Sequence, residues 1–389
     1  MNISTFVHRF PPGRRFPFLF LFLLLWLVAC GSSSQQMSPL LNSSKADIFH
    51  LPLSQLTIYV SGGDYAVYAL RASDGHQRWS HQFGVGVEGL IVVNGVLFAN
   101  NEGGVRALRT SNGQELWSHQ DGQFAFSRCF LATQTIVTYC AYHSDPFGFS
   151  GQTQTHVLRA SDGSELRQGG SGEVEINGVL YSAGGTLTAI EESTGKKLWD
   201  LAYSRNATST RPAAAGTTIY DNTGIDGVYA LDVVSKKVLW KASTGSPAID
   251  YTNVAVDHGI VYVGAHRDIY AFNASDGRQL WKTPIVQGGD LGGMLVAGDE
   301  RVYVGAGVNG GTYGFYALRE SDGKVLWRSH VVASNSARPV LASGMVYVGD
   351  MQRTLHALHA SDGQEIWRHR GEKFVGPVSG LAIGASMPV

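Results

Sequence analysis

Alternating apolar and polar positions recur in short runs along most of the chain. Val67-Tyr68-Ala69-Leu70 reads as a strand, Ser73-Asp74-Gly75 as a turn, and the run ending at Trp79 as a return strand. Asp suits an Asx turn and Gly suits positive φ, so the segment predicts a β-hairpin. The pattern occurs eight times: VYALRASDGHQRW (67–79), VRALRTSNGQELW (105–117), THVLRASDGSELR (155–167), LTAIEESTGKKLW (187–199), VYALDVVSKKVLW (228–240), IYAFNASDGRQLW (269–281), FYALRESDGKVLW (315–327) and LHALHASDGQEIW (355–367). A second hairpin of the type RPVLASGMVYVG (338–349) or GIVYVG (259–264) lies upstream of the motif. Two hairpins per period predict four strands.

The last motif positions are spaced 38, 50, 32, 41, 41, 46 and 40 residues apart, a mean of about 41. That period belongs to four-stranded propeller blades. The sequence therefore predicts an all-β fold, an eight-bladed β-propeller of four-stranded antiparallel blades. Trp79, Trp117, Trp199, Trp240, Trp281, Trp327 and Trp367 fill the last slot, each ten residues after an Ala. The third copy departs, with Val157 and Arg167 there. Each indole is expected to pack between neighbouring blades, with the small Ala leaving room for it. Burying about 150–250 Å² of Trp is worth roughly 4–6 kcal/mol gross. The tail from Gly376 to Ile383 reads like the start of another repeat. It is expected to pair with the first blade, close the ring and remove two open sheet edges.

Composition agrees with many short strands and tight turns. The 389 residues include 48 glycines, about twice the usual share of roughly 7%. Charged residues make up only 16% and hydrophobic ones 44%, which excludes a disordered chain. A net charge of −1 argues against a nucleic-acid binder, which needs a basic face.

The N-terminus carries a different signal. Met1–Arg15 holds Arg9, Arg14 and Arg15 and no acid, and Phe16–Ala29 is apolar apart from Pro17. A basic segment followed by a short apolar one is the pattern of an export signal. It is shorter than the roughly 20 residues of a membrane span. Leu27-Val28-Ala29-Cys30-Gly31 resembles a bacterial lipobox, in which the cysteine is lipidated and becomes the first mature residue. Residues 1–29 are thus expected to be a lipoprotein signal peptide, with Cys30 the lipid attachment. Ser32–Ala46 is polar and without periodicity, so 30–50 is expected to be a flexible tether to a propeller spanning 51–389. Removing 1–29 takes away three arginines and no acid and lowers the net charge to −4.

Candidate chemistry is sparse. Cys129 and Cys140 would lie opposite each other on a hairpin turning at Gln134-Thr135. Either a disulfide, allowed in an exported protein, or two buried thiols fits. Asp74, Asp162, Asp276, Asp322 and Asp362 sit in the repeated turns, which marks them as turn formers. Asp64, Glu88, Asp145, Asp226, Asp250, Asp290 and Asp350 lie outside the motif and could line a central channel. His356 and His359 are three apart on a strand and face opposite sides. No metal, phosphate-loop or nucleophile motif is present in the sequence, so no catalytic, cofactor-binding or metal residue is assigned. The third blade carries an insertion, 141–155, with Phe147 and Phe149 beside Pro and Gly. These aromatics form either a binding loop or a self-packed cover.

The motif Ala-Leu-x-Ala-Ser-Asp-Gly-x-x-x-Trp resembles the tryptophan-docking repeat of the pyrroloquinoline-quinone (PQQ) type over roughly residues 55–385. The resemblance implies an eight-bladed propeller with two functional branches. One is the quinoprotein alcohol and sugar dehydrogenases. The other is non-enzymatic, with the propeller lipoprotein of the outer-membrane β-barrel assembly machine. The dehydrogenases are longer and carry adjacent cysteines beside the cofactor, and this sequence has no Cys-Cys. The expected function is protein binding or scaffolding by a monomeric ring, lipid-anchored to the outer face of a bacterial membrane. The expected partner is an envelope protein or peptide, not a nucleic acid. The alternatives are a dehydrogenase using PQQ with calcium and a ligand-sensing propeller.

Overall fold

The computed structural model describes residues 51–120, 130–144, 151–169, 172–205, 211–224, 226–245, 253–285, 291, 294–306, 314–334, 338–370 and 377–385. Residues 1–50, expected to hold the signal peptide, Cys30 and the tether, lie outside them, as do Cys129, Phe147 and Phe149.

Consecutive hairpins build the sheets. Blade 1 holds β1 (Leu56–Ser61), β2 (Ala66–Arg71) and β3 (Gln77–Gln82). Blade 2 holds β4 (Val87–Val93), β5 (Val96–Asn101), β6 (Gly104–Arg109) and β7 (Glu115–Gln120). Blade 3 holds β8 (Phe130–Ala132), β9 (Ile136–Ser144), β10 (Gly151–Arg159) and β11 (Glu165–Gln168). Blade 4 follows with β12 (Val174–Ile176), β13 (Val179–Ser182), β14 (Thr186–Glu191) and β15 (Lys197–Ala202). Blade 5 has β16 (Ala213–Ala215), β17 (Thr218–Asn222), β18 (Val228–Asp232) and β19 (Lys237–Ala242). Blade 6 has β20 (Ala255–Asp257), β21 (Ile260–Ala265), β22 (Asp268–Asn273) and β23 (Gln279–Pro284). Blade 7 has β24 (Leu295–Gly298), β25 (Arg301–Ala306), β26 (Gly314–Arg319) and β27 (Val325–Ser329). Blade 8 has β28 (Val340–Ala342), β29 (Met345–Gly349), β30 (Thr354–His359) and β31 (Glu365–Arg370). The last strand, β32 (Gly380–Ala385), pairs antiparallel with β1 and completes blade 1 in the order β3-β2-β1-β32. The fold is an all-β, eight-bladed propeller, as the period predicted.

Each blade is apolar where it meets its neighbours. Inner strands are buried, β1 throughout, while outer strands such as β3 and β7 alternate exposed and half-buried positions. Apolar clusters bridge successive blades, and one joins blade 8 to blade 1 through Tyr347, Leu355, Ile58 and Leu70. The ring is closed by packing as well as by the β1–β32 ladder.

The repeated residues meet at these junctions. Ala69 pairs directly across the sheet from Trp79, and the ladder shifts by one residue just beyond, a bulge shared by all eight third-to-fourth strand pairs. The indole leans onto the turn of the next blade. Six indoles donate Nε1–H to the carbonyl that opens that turn, at 2.8–3.0 Å: Trp79 to Thr110, Trp117 to Ala160, Trp240 to Ala274, Trp281 to Glu320, Trp327 to Ala360 and Trp367 to Ala72. The turn glycine lies flat on the ring. At Gly323, with φ +70, a Cβ would stand 2.5 Å from the Trp281 ring. The turn acids cap backbone N–H groups two residues on, as Asp74 does for His76 at 3.0 Å. Asp162 is held at about 2 by the Ser164 hydroxyl and N–H and by Arg159.

Two junctions break this rule, each for a visible reason. Lys236 takes the glycine place in blade 5 at φ +56. Its ammonium stands 5.5 Å over Trp199, whose Nε1 makes no dock among the described residues. Between blades 3 and 4, Arg167 replaces the Trp and Glu192 replaces the Ala that opens the receiving turn. Burial lowers the Arg167 pKa, and the nearby Glu192 charge opposes that shift. The guanidinium lies against Gly195 of the receiving turn, where the indole lies elsewhere, and Glu192 accepts the Thr133 and Thr135 hydroxyls.

Candidate functional site

Antiparallel connectivity gives the ring two unlike faces. Connections between first and second strands, and between third and fourth, fall on one face. The former are mostly two-residue turns with both residues at positive φ, such as Asn94-Gly95 and Ser343-Gly344. That geometry matches the twist of the strands it joins. All the indole docks also lie toward this face. The other face receives the second-to-third strand connections and those between blades, which run from four residues (83–86) to twelve (243–254). This loop face is the candidate site, because long connections on a rigid ring can vary without disturbing the ladders.

Its buried polar groups are tied into the loops. Asp221, buried at the end of β17, accepts the Tyr203 hydroxyl at 2.5 Å, and that hydroxyl accepts the Gly184 and Gly185 N–H groups at 3.1 Å. Nearby Glu173 accepts the Ala183 N–H at 3.0 Å. Desolvation pushes its pKa up to about 7, and the Asp221 charge adds to the shift. In blade 8, Asp350 caps Gln352 and Thr354 and holds His356 Nε2 at 3.0 Å, while Nδ1 faces Glu365 at 2.5 Å. Burial alone would lower the His356 pKa, but these two carboxylates raise it. Asp64 accepts the Tyr68 hydroxyl at 2.5 Å.

Two arginines open inner strands at equivalent positions, Arg211 before β16 and Arg338 before β28. Desolvation pulls both below the usual guanidinium range, and the Arg338 charge lowers Arg211 further. The Nη atoms of Arg211 are buried and have no hydrogen-bond partner among the described residues. The Arg-Pro dipeptide shared by 211–212 and 338–339 was the signal available for them in the sequence.

Two large apolar side chains stand out on this face. Tyr65 is 47% exposed and Met351 is 49% exposed, in the equivalent second-to-third strand turns of the neighbouring blades 1 and 8. Tyr65 adopts φ +62, an unfavourable backbone for a bulky side chain. Neither residue carries a motif, so sequence reading missed both.

The residues singled out from sequence are dispersed. The seven Trp residues sit at blade junctions. Cys140 is buried in β9 and disulfide-bonded. The β8–β9 hairpin pairs Ala132 with Val137, which centres its turn on Gln134-Thr135. Of Asp64, Glu88, Asp226 and Asp350, the structure ties Asp64 and Asp350 into their own turns, and Asp226 accepts the Ser204 hydroxyl at 2.5 Å. Asp145, Asp250 and Asp290 lie outside the described residues. His356 is buried and His359 exposed, on opposite sides of β30.

Calcium, which a PQQ site would need, takes six to eight oxygen ligands. The groups of three metal-ligating side chains among the described residues are His119–His156–Glu165 and Asp257–His258–Glu320. Each contains histidine and lies at a blade junction, so these residues do not fit a calcium–quinone site. No helix among the described residues is long and apolar enough to cross a membrane.

Comparison with known proteins supplies the relationship. The family described as outer membrane protein assembly factor BamB matches residues 25–179, 183–284 and 265–383. No protein with a curated description matches. Among solved structures, BamB from Moraxella catarrhalis shares 13% identity at a TM-score of 0.58, covering 75% of this chain and 88% of that one. The computationally designed Ika8 protein shares 17% at 0.60, covering 78% and 94%. The dihydro-heme d1 dehydrogenase NirN, in complex with DHE, shares 11% at 0.63, covering 87% and 76%. At these identities the solved structures establish the fold alone. From its family match across most of its length and its eight four-stranded blades, the chain belongs to the PQQ-like repeat propeller family of the outer membrane protein assembly factor BamB.

Proposed function

We propose that this chain is a lipid-anchored scaffold of the bacterial envelope that binds a protein partner through its loop face. The observation that carries the proposal is the exposed pair Tyr65 and Met351 on adjacent blades of that face. Aromatic and Met side chains are favoured anchors at protein interfaces. Holding Tyr65 at φ +62 is a local strain of the kind that persists where function requires it. The family supports an assembly-type role, since its namesake is an outer membrane assembly factor. Cys30 is the proposed anchor, and the polar stretch after it lets the ring stand off the membrane. Extended at about 3.3 Å per residue, 31–50 would reach about 65 Å.

The test uses full-length protein recovered from envelopes with its bound partner. Tyr65→Ser combined with Met351→Ser is expected to reduce partner recovery at least tenfold while leaving the melting temperature within about 2 °C. Undiminished recovery contradicts the proposal. Saturable one-to-one binding of PQQ with calcium, followed by dye reduction with alcohols or sugars, would place the chain among the quinoproteins instead.

A further inference from the structure

The propeller repeats one arrangement at two successive junctions, with one residue changed. Between blades 1 and 2, His81 on β3 reaches Glu115 on β7, with Nε2 3.7 Å from Oε2. Arg106 on β6 meets the same oxygen at 3.6 Å. Between blades 2 and 3, His119 on β7 reaches Glu165 on β11, with Nε2 3.6 Å from Oε2. The Arg106 position is now His156 on β10, whose Nδ1 lies 3.2 Å from that same oxygen. The first site is a cation–carboxylate pair with an Arg that cannot ligate a metal. In the second, the three donor atoms lie within 4.8 Å of one another.

We propose that His119, His156 and Glu165 form a zinc-class divalent cation site that clips blade 2 to blade 3. Two imidazoles and one carboxylate are a zinc donor set, leaving a fourth position for water or an incoming ligand. Tetrahedral ligands at about 2.0–2.1 Å from zinc stand about 3.3–3.4 Å apart. The two His–Glu165 separations, 3.2 and 3.6 Å, bracket that spacing, and the three donor atoms lie within 4.8 Å of one another. The donors are already oriented. The His156 ring stacks on fully buried Tyr139 at 4.8 Å and 14°. His119 is two residues beyond Trp117, on the strand face turned toward blade 3 by the indole dock. Side-chain exposures of 19% for His119, 4% for His156 and 30% for Glu165 leave an approach from the outer wall. The other cluster is less suited: His258 is 65% exposed, and Glu320 already accepts the Tyr262 hydroxyl at 2.8 Å. The two histidines lie 37 positions apart with no short motif between them, so only the blade packing reveals the site.

The test is calorimetric titration of metal-stripped full-length protein with zinc chloride, repeated by the visible spectrum with cobalt chloride. The wild type is expected to take up one equivalent at this site, show a tetrahedral cobalt spectrum and melt at a higher temperature with zinc. His156→Arg copies the blade 2 residue and is expected to fold. It should weaken zinc binding by at least about 100-fold, exceeding the cost of losing a second-layer partner. His119→Ala should do the same. No saturable uptake, binding unchanged in His156→Arg, or binding lost only in His258→Ala overturns the proposal.

Discussion

The two faces of the ring are built from different connections, short repeated turns on one and longer, varied loops on the other. On the turn face the same chemistry repeats: an indole, a carbonyl 2.8–3.0 Å away and, at most junctions, a glycine beneath the ring. On the loop face the connections vary in length from blade to blade, and several of the polar groups held there are ionisable: Glu173, Asp221, Asp350, His356, Arg211 and Arg338. Repetition marks what every blade needs in order to pack. Departure from repetition marks what one blade does alone. The turn face should therefore govern stability, and the loop face the partner binding proposed above, with little exchange between them.

The largest effect that could break this division is at Trp281. Trp281→Ala removes a buried indole, its bond to Glu320 and its seat under Gly323, and should cost about 3–5 kcal/mol by denaturant unfolding while partner recovery is retained. A loss near zero would contradict the docking role. Next is Glu173. An unfolded Glu titrates near 4.3 and the folded one at about 7, so its stability contribution is intact below 4.3 and declines as pH rises to 7. Glu173→Gln keeps the acceptor for Ala183 and should add about 3 kcal/mol at pH 8 and almost nothing at pH 4. Equal effects at both pH values would refute the assigned cause. Smaller still is Lys236→Gly, which relieves φ +56 and clears the space over Trp199. A gain of about 1 kcal/mol is expected, read as a higher melting temperature. The smallest stability change is at Tyr65→Gly, a gain of about 0.5–1 kcal/mol from relief of strain together with loss of partner binding. Stabilisation with binding intact would detach the strain from the function.

The fold was legible because the docking contact is local in the repeat. Ala, the turn and Trp fall within thirteen residues, so each blade announces itself. The missing third Trp was also visible, but its compensation was not. Arg167 takes the indole's place on Gly195, and Glu192 of that turn bonds back to Thr133 and Thr135 of blade 3, contacts that sequence order conceals. The same limit applied to the candidate sites. Tyr65 and Met351 are 286 positions apart and come to lie on adjacent blades only when the ring closes. His119, His156 and Glu165 are joined by a junction, not by a motif. Sequence reading looked for function in the aromatic insertion of blade 3, whose Phe147 and Phe149 lie outside the described residues. Within the described residues, the proposals fall on blades 8 and 1 for a partner and on the wall between blades 2 and 3 for a metal.

The most direct measurement is a photo-crosslinking map of the full-length protein in intact envelopes. Probes would replace Tyr65, Met351 and Arg353 on the loop face, and Asp74, Val234 and Asp362 on the turn face. The account predicts discrete protein adducts from the first set and none from the second. Adducts concentrated on the turn face, or spread equally over both, would contradict it.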